Sequence, residues 1–425
     1  MNPDDFVLFQ NIALADAATG VQTSTVGEPS VANNGRQIFL SGNWYCTRSI
    51  DNGNSWQYVN PFNTLPTTAG GFCCDQVVLY DPSRDLFFWL LQYIQAPGGS
   101  NVLRVAVKRG PTLQNNASWY WWDFAPANVN AQWNLNWFDY PDLALTNDHL
   151  WLSSNVFNTA GQWQGASVLR LPLDALAAGT GFSYNFFNTT NNGSLRFTQG
   201  ATETMYFASH NNRSQVRLFR WADSSGTIFW NDIGVNTWSG GVYSAPGPDG
   251  RDWLGRADPR ITGAWVGDGV VGLMWTANAR GSRPFPHIRV ARIDERTLGV
   301  IDQPDLWSST GAWAYPAAAA NCRGHVGISC FFGGGTWGSP AHIVGLWDDM
   351  APGWSIRVAR YSTNGPAGNA WGDYLSVRPH SPDALTWIAS GYTIRGGTDR
   401  RDILPGYVHF GRRRDQGAVD RWENC

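Results

Sequence analysis

Ile288-Arg289-Val290-Ala291-Arg292-Ile293-Asp294 recurs almost letter for letter as Ile356-Arg357-Val358-Ala359-Arg360-Tyr361-Ser362. Looser copies are Leu103-Arg104-Val105-Ala106-Val107-Lys108, Leu169-Arg170-Leu171-Pro172-Leu173-Asp174 and Val216-Arg217-Leu218-Phe219-Arg220-Trp221. Each reads as a strand with two distinct faces. A unit of this kind, repeated from end to end, implies an array of similar sheets. Working outward, anchors on the first inner strand of each unit fall near Glu28, Asp75, Asp142, Phe197, Asp258, Tyr315 and Asp373, between 47 and 67 residues apart. The second unit shows the order best. Val77-Val78-Leu79-Tyr80 is followed by a turn at Asp81-Pro82-Ser83 and by Leu86-Phe87-Phe88-Trp89-Leu90-Leu91. The Arg-containing strand from Leu103 comes third, and Trp119-Tyr120-Trp121-Trp122 comes fourth.

Four-stranded antiparallel sheets in such a series close most simply into a ring, which leaves only short protected edges. The expected fold is therefore all-β, a seven-bladed β-propeller in one domain over residues 1–425; a weakly marked fourth unit leaves six or eight blades open. The last unit lacks a fourth strand after Tyr407-Val408-His409-Phe410. Residues 1–27, through Phe6-Val7-Leu8-Phe9, are expected to supply it and close the ring. Composition agrees: 24 Trp, 47 Gly and only 15% charged residues suit short apolar strands punctuated by turns.

Ser49-Ile50-Asp51-Asn52-Gly53-Asn54-Ser55-Trp56 fits the Asp box, Ser-x-Asp-x-Gly-x-x-Trp, at all four defining positions. In this it resembles the sialidase-like (BNR-repeat) propellers. The resemblance implies a turn between the third and fourth strands of a blade, with Trp56 packed between blades. Asp223-Ser224-Ser225-Gly226 and Ser362-Thr363-Asn364-Gly365 are degenerate relatives of the box. The box is structural in that family and argues for fold. Sialidases also carry an Arg-Ile-Pro motif near the first blade. None is present here, and Arg260-Ile261-Thr262 is no substitute, so true sialidase activity is not expected.

The net charge is -3, the pI is about 6.1 and the sequence shows no basic stripe, so no nucleic-acid partner is expected. No apolar run is long enough to span a bilayer. The start, Met1-Asn2-Pro3-Asp4-Asp5, is not a signal peptide. The protein is either cytoplasmic or begins after a removed signal, and a secreted or extracellular protein, monomeric, is the expectation. Sequons at Asn116, Asn188, Asn192 and Asn212 fit a secreted origin. Cys322 and Cys330 flank a hairpin and could be bridged, the adjacent Cys73 and Cys74 could form a vicinal disulfide, and Cys46 and Cys425 remain; spacing does not decide the pairing.

In a propeller, loops that enter the first strands share one face with loops between second and third strands. Long entry loops occupy residues 61–74, 125–141 and 236–257, and long loops on a rigid scaffold usually carry function. Their aromatics (Trp133, Trp137, Phe138, Tyr140, Trp238, Tyr243 and Trp253) suit a sugar ring if exposed and pack the loops together if not. The anchors place Glu28, Asp75, Asp142, Asp258 and Asp373 around the central axis, for acid–base catalysis, for a structural Ca²⁺, or simply to cap strand entrances. No cofactor is required. His210 ends the second strand of blade four on the same face and is the candidate general base; His325 lies at an opposite-face turn. Arg256 and Arg260 could donate to a carboxylate or sulfate on a ligand.

The expectation is a glycan-active enzyme, a glycoside hydrolase or polysaccharide lyase, with carbohydrate or another small molecule as its partner. Candidate catalytic residues are His210, Asp142, Asp258 and Tyr140; candidate substrate contacts are Trp137, Trp253, Arg256, Arg260, Asp75 and Asp373. The alternative is a non-catalytic, lectin-like propeller. Equivalent pockets in every blade would favour the lectin, whereas the unequal entry loops favour one central site.

Overall fold

The computed structural model describes residues 5–116, 118–397 and 399–417. It is all-β, with seven four-stranded antiparallel sheets arranged as blades and only short helical turns. Six blades use four consecutive strands. The seventh joins Ser376–Pro379, Trp387–Ile394 and Ile403–Arg412 to the N-terminal strand Phe6–Ala13, which pairs antiparallel with Ile403–Arg412. Phe6 seals that joint, with its ring centroid 6.1 Å from Phe410.

Inner strands are buried on both faces, because each sheet is sandwiched between two neighbours. Leu86–Tyr93 is buried along its whole length. It therefore reads as a continuous apolar run and not as an alternation. Outer strands are wet, and Ile228–Gly234 is largely exposed. The arginines of the third strands tie strands within a blade, or one blade to the next. Arg104 grips Asp123 of its own fourth strand at 2.6 and 2.7 Å. Arg170 donates at 2.8 Å to the Ala222 and Ser225 carbonyls of the next blade.

The most similar pair of segments in the sequence does not occupy equivalent places. Ile288–Asp294 falls in a third strand (His287–Asp294), whereas Ile356–Tyr361 falls in a fourth (Ser355–Tyr361). The pattern specifies a strand with one arginine-bearing face, and both ranks of strand can use it. Likewise Ser362–Gly365 follows a fourth strand and is no box turn, while Asp223–Gly226 does join a third strand to a fourth.

The Ser49–Trp56 turn joins Tyr45–Ser49 to Gln57–Val59. Asp51 accepts from the Ser55 N–H at 2.8 Å, Gly53 takes φ 83°, and the Trp56 ring lies 5.8 Å from Tyr407 of the last blade. Glycine is used here because the left-handed region is open to it without steric cost.

Cys73 and Cys74 form a vicinal disulfide. Cys322 is disulfide-bonded, but Cys330 is a free buried thiol, so the Cys322–Cys330 bridge is not formed. Cys46 is also free and buried, and Cys425 lies outside the described residues. Of the sequons, Asn192 is buried and Asn212 exposed.

Candidate active site

Prolines at the entrances of the inner strands set up the site. Glu28-Pro29 precedes the first strand Ser30–Asn33, Tyr140-Pro141 and Tyr315-Pro316 lie within the first strands Trp137–Leu145 and Ala312–Ala320, and Glu28, Tyr140 and Tyr315 hold φ of 42°, 58° and 58°. Proline gives no N–H to the ladder and restrains the residue before it. The ladders slip there, between Asp139 and Asp142 and between Ala314 and Ala317. A similar slip between Phe72 and Gln76 contains the Cys73–Cys74 disulfide and Asp75. Bulges re-aim side chains, and here they bring Asp75, Asp139 and Tyr140 to a shared cavity on the axis.

That cavity has a volume of about 710 Å³ and opens on the entry-loop face. Its charged lining is Glu28, Asp75, Asp139, Asp258, Asp373, Arg256 and Arg260; Trp44, Tyr140 and Phe157 add aromatic surface and Cys74 a sulfur. Asp258 binds Arg260 at 2.5 Å. Asp373 binds Arg260 at 3.3 Å and Arg256 at 3.4 Å. The Arg260 guanidinium lies over the Tyr140 ring at 4.1 Å; burial lowers its pKa, but Tyr140, Asp258 and Asp373 outweigh that and raise it.

Glu28 and Asp75 behave differently. They are buried and hydrogen-bonded to each other, and no arginine is paired with either among the described residues. Burial, then the neighbouring Asp75 and Asp373 charges, push Glu28 well above the usual carboxylate range. Burial, then the Asp139 charge, push Asp75 up to about 7. Two carboxyls in contact cannot both ionise cheaply, so the pair keeps a proton near neutral pH. Asn43 donates to the Glu28 carboxyl at 2.7 Å and orients it. Asp139 accepts from Gln92 at 2.9 Å and has no cationic partner among the described residues.

Of the residues put forward from sequence, Glu28, Asp75, Asp258, Asp373, Tyr140, Arg256 and Arg260 meet in this cavity. The others do not. Asp142 sits deeper, in an ion pair with Arg196 at 2.9 Å, and accepts from the Phe197 N–H. The bulge at Tyr140-Pro141 turns it away and puts Asp139 in its place. His210 occupies an adjoining pocket, with ring centroids 4.8 Å from Trp238 and 5.0 Å from Trp275. Burial lowers its pKa to about 4, so it is a weak base outside the cavity. Trp253 is fully buried against Tyr315 and Phe331 and offers no platform. Trp133, Phe138, Trp238 and Tyr243 are buried as well, so the loop aromatics mostly pack the loops. Trp137 is half-buried; its indole donates to the Asn158 carbonyl and its ring backs Phe157 at 5.2 Å. Arg256 and Arg260 are engaged by aspartates and are not free anion receptors.

Glu28 was visible among the strand anchors offered for acid–base catalysis but was not singled out from them, and Asp139, Trp44 and Phe157 were missed. The X-Pro pairs at strand entrances are the signal that could have found Glu28 and Asp139. Among the described residues, no three cavity carboxylates approach closely enough to share an ion. The two groups that do, His380/Asp383/His409 and His325/Asp348/Asp349, lie elsewhere.

Fold and site together define a seven-bladed propeller with one acidic cavity on its entry-loop face. No protein-family profile and no curated protein sequence matches the chain. Among solved structures it is similar to an α-L-arabinofuranosidase of Fusarium graminearum in complex with an iminosugar inhibitor: 10% identity, 94% of this chain and 97% of that one covered, TM-score 0.47. An α-L-arabinanase of Penicillium chrysogenum complexed with arabinobiose has 9% identity, 96% and 99% coverage and a TM-score of 0.45. A sialidase of Trypanosoma rangeli in complex with sialic acid has 9% identity, covers 72% of this chain over 52% of its own and has a TM-score of 0.41. Likenesses this distant describe architecture, which proteins of different activity share.

Proposed function

We propose that this protein is a glycoside hydrolase acting on a neutral glycan in the central cavity. The observation that carries the reading is the buried Glu28–Asp75 pair, which holds a proton near neutral pH at the wall of an open cavity. A carboxyl kept protonated at that pH can donate to the departing glycosidic oxygen. Asp139, close enough for its charge to raise Asp75, is the second carboxylate. It would attack the anomeric carbon or activate a water there. Trp44 and Phe157 offer faces to a sugar ring.

Charge argues for a neutral substrate. Five carboxyls face two arginines, and both arginines already serve aspartates. An anionic sugar would meet repulsion with no free guanidinium to offset it. Hydrolysis is favoured over lyase elimination because neither His210 nor Tyr140, the two candidate bases for elimination, suits that role: burial pushes Tyr140 to higher pKa, and His210 lies outside the cavity. Every assigned step uses side chains of the chain itself. The Cys73–Cys74 disulfide suits an oxidising, extracellular setting.

The test compares leaving groups. Nitrophenyl glycosides need little protonation to depart; alkyl-linked glycans need a general acid. Glu28→Gln should lose roughly 10²- to 10⁴-fold in kcat on the alkyl-linked substrate and much less on the nitrophenyl one. Equal losses on both would remove Glu28 as the acid. Retention of glycans by the wild-type protein without any product would favour the lectin.

A further inference from the structure

The axis has a second mouth. On the face opposite the acidic cavity lies a separate cavity of about 600 Å³, with predominantly apolar walls that include Leu79, Leu145, Ala201 and Pro379. Its size is that of a small-molecule site. Its charged groups cancel, with one exception. Arg84 is paired with Asp81 at 3.1 Å and with Asp174 at 2.7 Å. His380 lies 3.1 Å from Asp383.

Arg378 is the exception. It reaches both this cavity and the narrow inner channel that continues toward the axis. It makes no ion pair among the described residues. Its one hydrogen bond runs from Nη1 to the adjacent Val377 carbonyl at 3.1 Å, and its buried Nε has no partner. The carboxylate whose charge reaches it, Asp142, is already committed to Arg196 at 2.9 Å. Asp142 therefore serves Arg196 and leaves Arg378 without a contacting carboxylate among the described residues. A half-buried guanidinium whose Nε is buried without a partner, on the wall of an apolar cavity, is poorly solvated, and an anion from solution would offset that cost.

We propose that this second cavity binds a small amphiphilic anion, one carboxylate on an apolar body, with Arg378 as its counter-ion. The apolar walls select the body, since a bare inorganic ion would lose its hydration there without replacement hydrogen bonds. The site is independent of the chemistry proposed at the other mouth, and its test needs no turnover.

Isothermal titration with sodium octanoate, octanol and sodium acetate decides it. The wild-type protein should bind octanoate at least roughly tenfold more tightly than octanol or acetate. In Arg378→Met the preference for octanoate over octanol should vanish. Should that variant not fold, Thr202→Trp narrows the mouth from an exposed position and should weaken octanoate binding. No octanoate binding by the wild type, equal binding of octanoate and octanol, or octanoate binding unchanged in either folded variant would overturn the proposal.

Discussion

Replacing Asp75 by Asn should stabilise the protein at alkaline pH while disabling it. In the folded chain, burial and Asp139 raise Asp75 from 3.8 to about 7. Between those two values the native state keeps a proton that the unfolded chain has released. Stability is therefore greatest below about pH 4 and is lost as pH rises through about 7. At about 1.4 kcal/mol for each tenfold change in proton affinity, the difference is on the order of 4 kcal/mol. Glu28 shares the proton, so part of that figure belongs to the pair. The amide introduced by Asp75→Asn has no proton to lose and can still hydrogen-bond Glu28. The variant should thus match wild type at pH 4 and exceed it at pH 8 by about 2–4 kcal/mol. Urea unfolding at both pH values measures the difference. A variant no more stable than wild type at pH 8, or equally shifted at both pH values, would refute the shared-proton argument.

Other outcomes follow from the same geometry. Trp253→Ala should lose about 3–5 kcal/mol of stability, because a fully buried indole leaves a cavity, while KM of the folded fraction stays unchanged. The double substitution Cys73→Ser with Cys74→Ser should loosen the bulge that aims Asp75. It should lower kcat and move the alkaline limb of the pH–rate profile, with little change in melting temperature. Deleting residues 1–13 removes the outer strand of the last blade and bares an unpaired edge. The product should melt earlier and self-associate, as calorimetry and light scattering would show.

The all-β, seven-bladed architecture was legible because inner strands buried on both faces leave long apolar runs between turn signals. Rank within a blade was less legible. Ile288–Asp294 and Ile356–Tyr361 share letters yet lie in a third and a fourth strand, since both need only one arginine-bearing face. A ring of carboxylates at strand entrances could also be anticipated. Which of them matter could not, because Asp139 and Asp142 differ by three residues and a bulge between them decides which one meets solvent. Composition likewise cannot tell a sugar platform from loop packing: Trp253 went into the core, while Trp44 and Phe157 reached the cavity. The protonation of Glu28 and Asp75 depends on contacts with each other and on the charges of Asp139 and Asp373, which come from blades three and seven, far apart in the chain.

The proposed function places the chemistry in the Glu28–Asp75–Asp139 cavity. The most direct measurement is product release from a panel of neutral oligosaccharides by wild type, Asp139→Asn and His210→Ala. The account predicts turnover by wild type, near-complete loss in Asp139→Asn and retention in His210→Ala. Full activity in Asp139→Asn, with activity abolished in a folded His210→Ala, would contradict it.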